Sequence, residues 1–66
     1  MHIVVITNGD GKELFCGEMQ HAPNIGETFT RQVSGIKKTW LVHEKETLMV
    51  IEEGQPDRIY TNILVL

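Results

Sequence analysis

The sequence predicts an all-β fold, a small and strongly bent antiparallel sheet or barrel of five to six short strands. Three observations carry that prediction. Thirteen Val and Ile with six Thr make 19 of the 66 residues β-branched, while alanine occurs once, at position 22. Branched side chains lose χ1 freedom in a helix and pack well on a pleated surface. Residues 28–34 alternate with period two, Phe29, Arg31 and Val33 on one face and Thr28, Thr30 and Gln32 on the other, and turn-forming groups at Asn8-Gly9-Asp10-Gly11, Pro23 to Gly26, Ser34-Gly35 and Gly54 to Asp57 break the chain into short runs.

The elements follow in order. His2–Thr7 is a continuous apolar run, and the Asn-Gly and Asp-Gly pairs after it supply the positive φ that tight hairpins need. Lys12–Met19 returns antiparallel, with Phe15 and Met19 turned inward and Gly17 marking a bulge or a sharp bend that curls the sheet. Gln20–Glu27 lacks strand character and reads as a loop. Thr28–Ser34 is a half-buried strand. Ser34 to Lys38 turns into Thr39–Glu44, whose Trp40 and Val42 face opposite to Leu41 and His43. Glu44-Lys45-Glu46 is a charged connection into Thr47–Glu53, a central strand apolar on both faces. After the turn at Gly54–Asp57, Arg58–Leu66 forms the last strand.

That last strand is apolar on both sides, with Ile59, Ile63 and Val65 on one face and Tyr60, Leu64 and Leu66 on the other. Two accounts are open. The strand is tucked between the body of the barrel and the first strand, or it exposes an edge or patch, through Tyr60, Ile63, Leu64 and Leu66, that pairs with a second subunit.

Length limits the chain to one domain, residues 1–66 as a single β-barrel. A core this small supplies only about 3–5 kcal/mol. The lone Cys16 cannot close an intrachain disulfide and no Cys/His pattern has structural-zinc spacing. Support therefore falls to local geometry or to self-association, and a homo-oligomer, a dimer first, is expected. The N-terminus lacks a positive n-region, and Ile3-Val4-Val5-Ile6 is too short for a signal core or membrane span. A cytoplasmic protein with no membrane partner is the expectation. A formal charge of −3 names no partner, being too acidic for generic phosphate-backbone binding.

Pro23-x-x-Gly26-Glu27-Thr28-Phe29 followed by Trp40-Leu41-Val42 resembles the turn-and-strand step of SH3-like small barrels and of uncharacterised small bacterial and phage β-proteins. The resemblance covers about a third of the chain and implies an SH3-like barrel. It brings no residue tied to chemistry, and a proline-peptide groove, lined by several aromatics, is not expected from Phe15, Phe29, Trp40 and Tyr60 alone.

Chemistry-bearing residues are few. Cys16 with His2, His21 and His43 has no spacing of a thiolate–imidazole pair, and Cys16 reads as a buried structural thiol. The carboxylates are spread over turns and strand ends, and Asn8–Gly11 lacks the Lys-Ser/Thr of a phosphate loop. No enzyme, no cofactor and no metal site is expected. His21, in the loop beside Pro23, and His43, at a turn mouth, are candidate binding residues. Arg31, Lys37, Lys38 and Lys45 lie along the second hairpin with Trp40 available for base stacking, although Trp40 also reads as the largest core side chain. The leading expectation is a non-catalytic interaction module, an accessory or inhibitory protein of phage type that acts by stoichiometric binding to a protein partner or small ligand. The alternative is a barrel that binds single-stranded nucleic acid. The acidic set Glu44, Glu46, Glu52, Glu53 and Asp57 and the basic set Arg31, Lys37 and Lys38 are the two candidate faces.

Overall fold

The computed structural model describes residues 2–66. Five strands, β1 (His2–Asn8), β2 (Glu13–Gly17), β3 (Thr28–Val33), β4 (Ile36–Val50) and β5 (Arg58–Val65), form one sheet in the order β2-β1-β5-β4-β3. The sheet curls strongly into a half-barrel. The all-β reading is correct, but the sheet is mixed and not wholly antiparallel: β1 runs parallel to β5, from His2 opposite Ile59 to Asn8 opposite Val65. Alternation within a strand specifies which face is buried and says nothing of which strand lies beside it.

The first hairpin closes around Asn8. Its amide donates to the Lys12 carbonyl (2.9 Å), and its Oδ1 accepts from the Asp10 and Lys12 amides (both 3.0 Å). Gly9 does not adopt positive φ, contrary to the Asn-Gly expectation. Its smallness serves a close approach instead, because a Cβ there would lie 3.0 Å from Leu66 Cδ2. The bulge falls at Leu14 and not at Gly17: Ile6 pairs with Phe15 and Thr7 with Glu13, so Leu14 is the extra residue. That insertion breaks the alternation, which is why Leu14 enters the core and Phe15 also packs against it. Met19 packs against the core as well.

The second hairpin is tighter than expected. Val33 pairs with Ile36, leaving only Ser34 (φ 52°) and Gly35 (φ 80°) in the loop. Two positive φ values in a two-residue loop match the right-handed twist of the flanking strands. Ile36, Lys37 and Lys38 thus belong to β4.

β4 is one unbroken strand of 15 residues, and Glu44-Lys45-Glu46 does not separate two elements. Charged residues are tolerated there because the strand changes partner. Ile36–Leu41 pair with β3, whereas Val42 to Val50 pair with β5, with His43 inserted as a bulge. Lys45 Nζ donates to Asn24 Oδ1 (2.7 Å). Beyond this point β4 has a neighbour on one side only, so the expected central, doubly covered strand is an edge. Leu48, Met49 and Ile51 are 46%, 55% and 71% exposed.

The core lies on the concave side and comprises Val4, Ile6, Leu14, Val42, Ile63 and Val65. Thr61 is the buried polar residue, its Oγ1 2.7 Å from His2 Nε2. β5 lies between β1 and β4, as the tucked account of the last strand required. The edge account fails for its backbone, which is paired on both sides, and Ile63 is buried within the chain. The molecule measures 43 × 24 × 22 Å with a radius of gyration of 13.1 Å, against about 11 Å for a compact chain of this length. The long β4 is its spine.

Candidate functional site

Aromatic, basic and apolar groups meet on the hairpin of β3 and β4. Pairing places Phe29 opposite Trp40, Arg31 opposite Lys38 and Val33 opposite Ile36, and directly paired residues share a face of the sheet. At the base, Phe29 and Trp40 stack with ring centroids 6.0 Å apart at 28°, and both pack against the core. The Arg31 guanidinium lies 5.9 Å from the Trp40 ring centroid, and its Nη1 donates to the Leu14 carbonyl (3.3 Å) on β2. Further out, Val33 and Ile36 are 54% and 66% exposed and flank a shallow hollow with Arg31, Ser34 and Lys38. Lys37 is exposed on the opposite face, across from Gln32.

The sequence-predicted binding residues divide. Trp40, Arg31 and Lys38 are brought together. His21 is exposed in the loop before β3, beside a hollow shared with Met19, Pro23 and Phe29. His43 is exposed at the β4 bulge, in a separate hollow with Ile25 and Leu64. The two histidines therefore face different hollows. Among the described residues no three His, Cys, Asp or Glu side chains converge where a metal could be held. Cys16, expected to be buried, is exposed, because it pairs with Val5 on the face opposite the core residues Val4 and Ile6. Of the four residues expected at a subunit contact, Leu66 is 58% exposed and Tyr60 and Leu64 are half-buried, whereas Ile63 lies in the core.

Sequence reasoning missed the exposed apolar residues of the far arm, Leu48, Met49 and Ile51, because an apolar run reads as burial. The signal that could have found them is Glu44-Lys45-Glu46 within an otherwise strand-forming stretch, which fits a one-sided edge better than a covered strand.

No helix among the described residues is long and apolar enough to cross a membrane. Comparison with protein families, curated proteins and solved structures returned no match.

Proposed function

We propose that the protein is a non-catalytic interaction module, a small β half-barrel of SH3-like kind that associates with itself and acts by stoichiometric binding, as accessory or inhibitory phage-type factors do. One observation carries this reading: among the described residues eight large apolar side chains are well exposed, against six in the core. The accessible surface of 4858 Å² exceeds by about 600 Å² what a compact monomer of 7.5 kDa presents. A standard interface takes about 800 Å² from each partner, so the excess is of the size that one contact covers. A reducing cytoplasm suits the exposed Cys16 thiol.

Sedimentation equilibrium on the full chain tests the reading. A mass above that of the single chain, rising over ten to several hundred micromolar, is expected. A constant single-chain mass would refute self-association.

A second reading, binding of single-stranded nucleic acid, is favoured by Arg31 and Lys38 on the face of Trp40, with Lys37 exposed on the other face of the same hairpin. It ranks lower because Trp40 already stacks on Phe29 and carries Arg31 near its ring, which leaves less of the indole for a base. The chain has one tryptophan, so its fluorescence reports on the question directly. Titration with short oligonucleotides at low salt is expected to leave the emission unchanged.

A further inference from the structure

Resting on the self-association proposed above, we infer that the two ends of the molecule are docking surfaces for one another, so that copies join head to tail. β4 carries both ends. A straight strand of 15 residues would span about 50 Å at roughly 3.3 Å per residue, so β4, bent and bulged at His43, is long enough to run the 43 Å length of the molecule. The hairpin end, residues 28–43, holds Arg31, Lys37 and Lys38 and no carboxylate. The far end, residues 44–58, holds five carboxylates, Glu44, Glu46, Glu52, Glu53 and Asp57, against Lys45 and Arg58. Arg58 is engaged by Glu52 (3.2 Å) and Lys45 by Asn24, which leaves the other acids of this arm without a basic partner inside it.

Each end pairs its charge with apolar surface. Val33 and Ile36 stand exposed at the tip on the face of Arg31 and Lys38, and Leu48 stands exposed on the arm on the face of Glu44 and Glu46, with Met49 on its other face and Ile51 just past its end. The surfaces are matched in kind, apolar to apolar and basic to acidic, which is the complementarity that selects a partner. Arg31 and Lys38 face each other across the hairpin, an arrangement of like charges that costs stability within one chain and that an opposing carboxylate relieves. The acidic arm also keeps an open backbone edge beyond Lys45, where β4 pairs with β5 alone. Because the two surfaces differ, the contact is heterologous, and it closes into a ring or continues as a filament.

The test uses the full chain and two double variants at exposed positions, Ile36→Thr with Lys38→Thr at the tip and Glu46→Thr with Leu48→Thr on the arm. Circular dichroism checks that both fold. Mass is read by sedimentation at low salt and at 1 M salt, where screening acts within about 3 Å. The parent chain is expected to associate at least about tenfold more weakly at high salt, and each variant alone to remain a single chain. An equimolar mixture keeps one intact tip and one intact arm, and is expected to give a 1:1 dimer that grows no further.

A parent chain that is monomeric throughout overturns this inference and the self-association it rests on. Association that ignores salt, or variants whose mixture does not recover a dimer, overturns the head-to-tail arrangement alone. So does a folded tip variant whose mass stays that of the parent.

Discussion

Arg31 on β3 donates its Nη1 to the carbonyl of Leu14 on β2, 17 residues earlier in the chain. β2 and β3 are the two outermost strands of the sheet. The bond therefore bridges the mouth of the half-barrel with one side chain where a closed barrel would use a ladder of backbone hydrogen bonds. The same guanidinium lies near the Trp40 ring, so one residue links both edges of the sheet to the aromatic pair at the hairpin base.

Replacing Arg31 with alanine removes a charged donor, a cation–π contact and packing of the aliphatic stem. A loss of about 1–3 kcal/mol is expected. For a domain this small each kcal/mol lowers the melting temperature by about 4–8 °C. Arg31→Lys is expected to recover less than half, since an ammonium lacks the planar face that stacks. Thermal melts followed by circular dichroism measure both, and equal melting temperatures for parent and R31A would contradict the bridging role.

Ile63 and Leu66 are near neighbours in sequence with opposite fates, one 2% and the other 58% exposed. Ile63→Ala is expected to cost about 2–5 kcal/mol, enough to unfold much of the population at 37 °C. Leu66→Ala is expected to cost less than about 1 kcal/mol. Urea unfolding of the two variants checks the contrast.

The Ser34-Gly35 loop gives a paired prediction. Gly35→Ala places a Cβ at φ 80° and is expected to destabilise by about 1–2 kcal/mol. Ser34→Asn puts a residue tolerant of left-handed backbone at φ 52° and is expected to be neutral or to stabilise by a few tenths of a kcal/mol. Chemical denaturation midpoints with unchanged slopes would establish both values.

Gly17, by contrast, has no positive φ, and a Cβ there meets only the Phe15 ring at 3.6 Å. Gly17→Ala is expected to hold or raise stability by up to about 1 kcal/mol, because alanine restricts the unfolded chain. A drop beyond about 1 kcal/mol would contradict the unstrained backbone and the room for a Cβ at Gly17.

Cys16 is exposed, so a colourimetric thiol reagent is expected to titrate one thiol per native chain at the rate seen in denaturant, within about tenfold. Strong protection of the native thiol would refute its exposure.

Period-two alternation, β-branched composition and spaced turn residues were enough to predict an all-β chain, the Asn8 and Ser34-Gly35 reversals, and the shared face of Trp40 and Val42 opposite Leu41 and His43. These are local properties, set by χ1 freedom, by φ at one or two positions, and by the two faces of a single strand. Three matters were settled only by packing: that β1 and β5 run parallel, that bulges at Leu14 and His43 shift the faces after them, and that β4 runs on through Glu44–Glu46 with half its length uncovered. Each depends on which strand lies alongside, and an apolar residue has the same pattern in sequence whether its neighbour is another strand, a second molecule or water. The candidate site divides on the same line: its basic residues and Trp40 are legible in the chain, while the hold of Arg31 on Leu14 and the exposed arm at Leu48–Ile51 exist only once the sheet has curled and stopped short of closing.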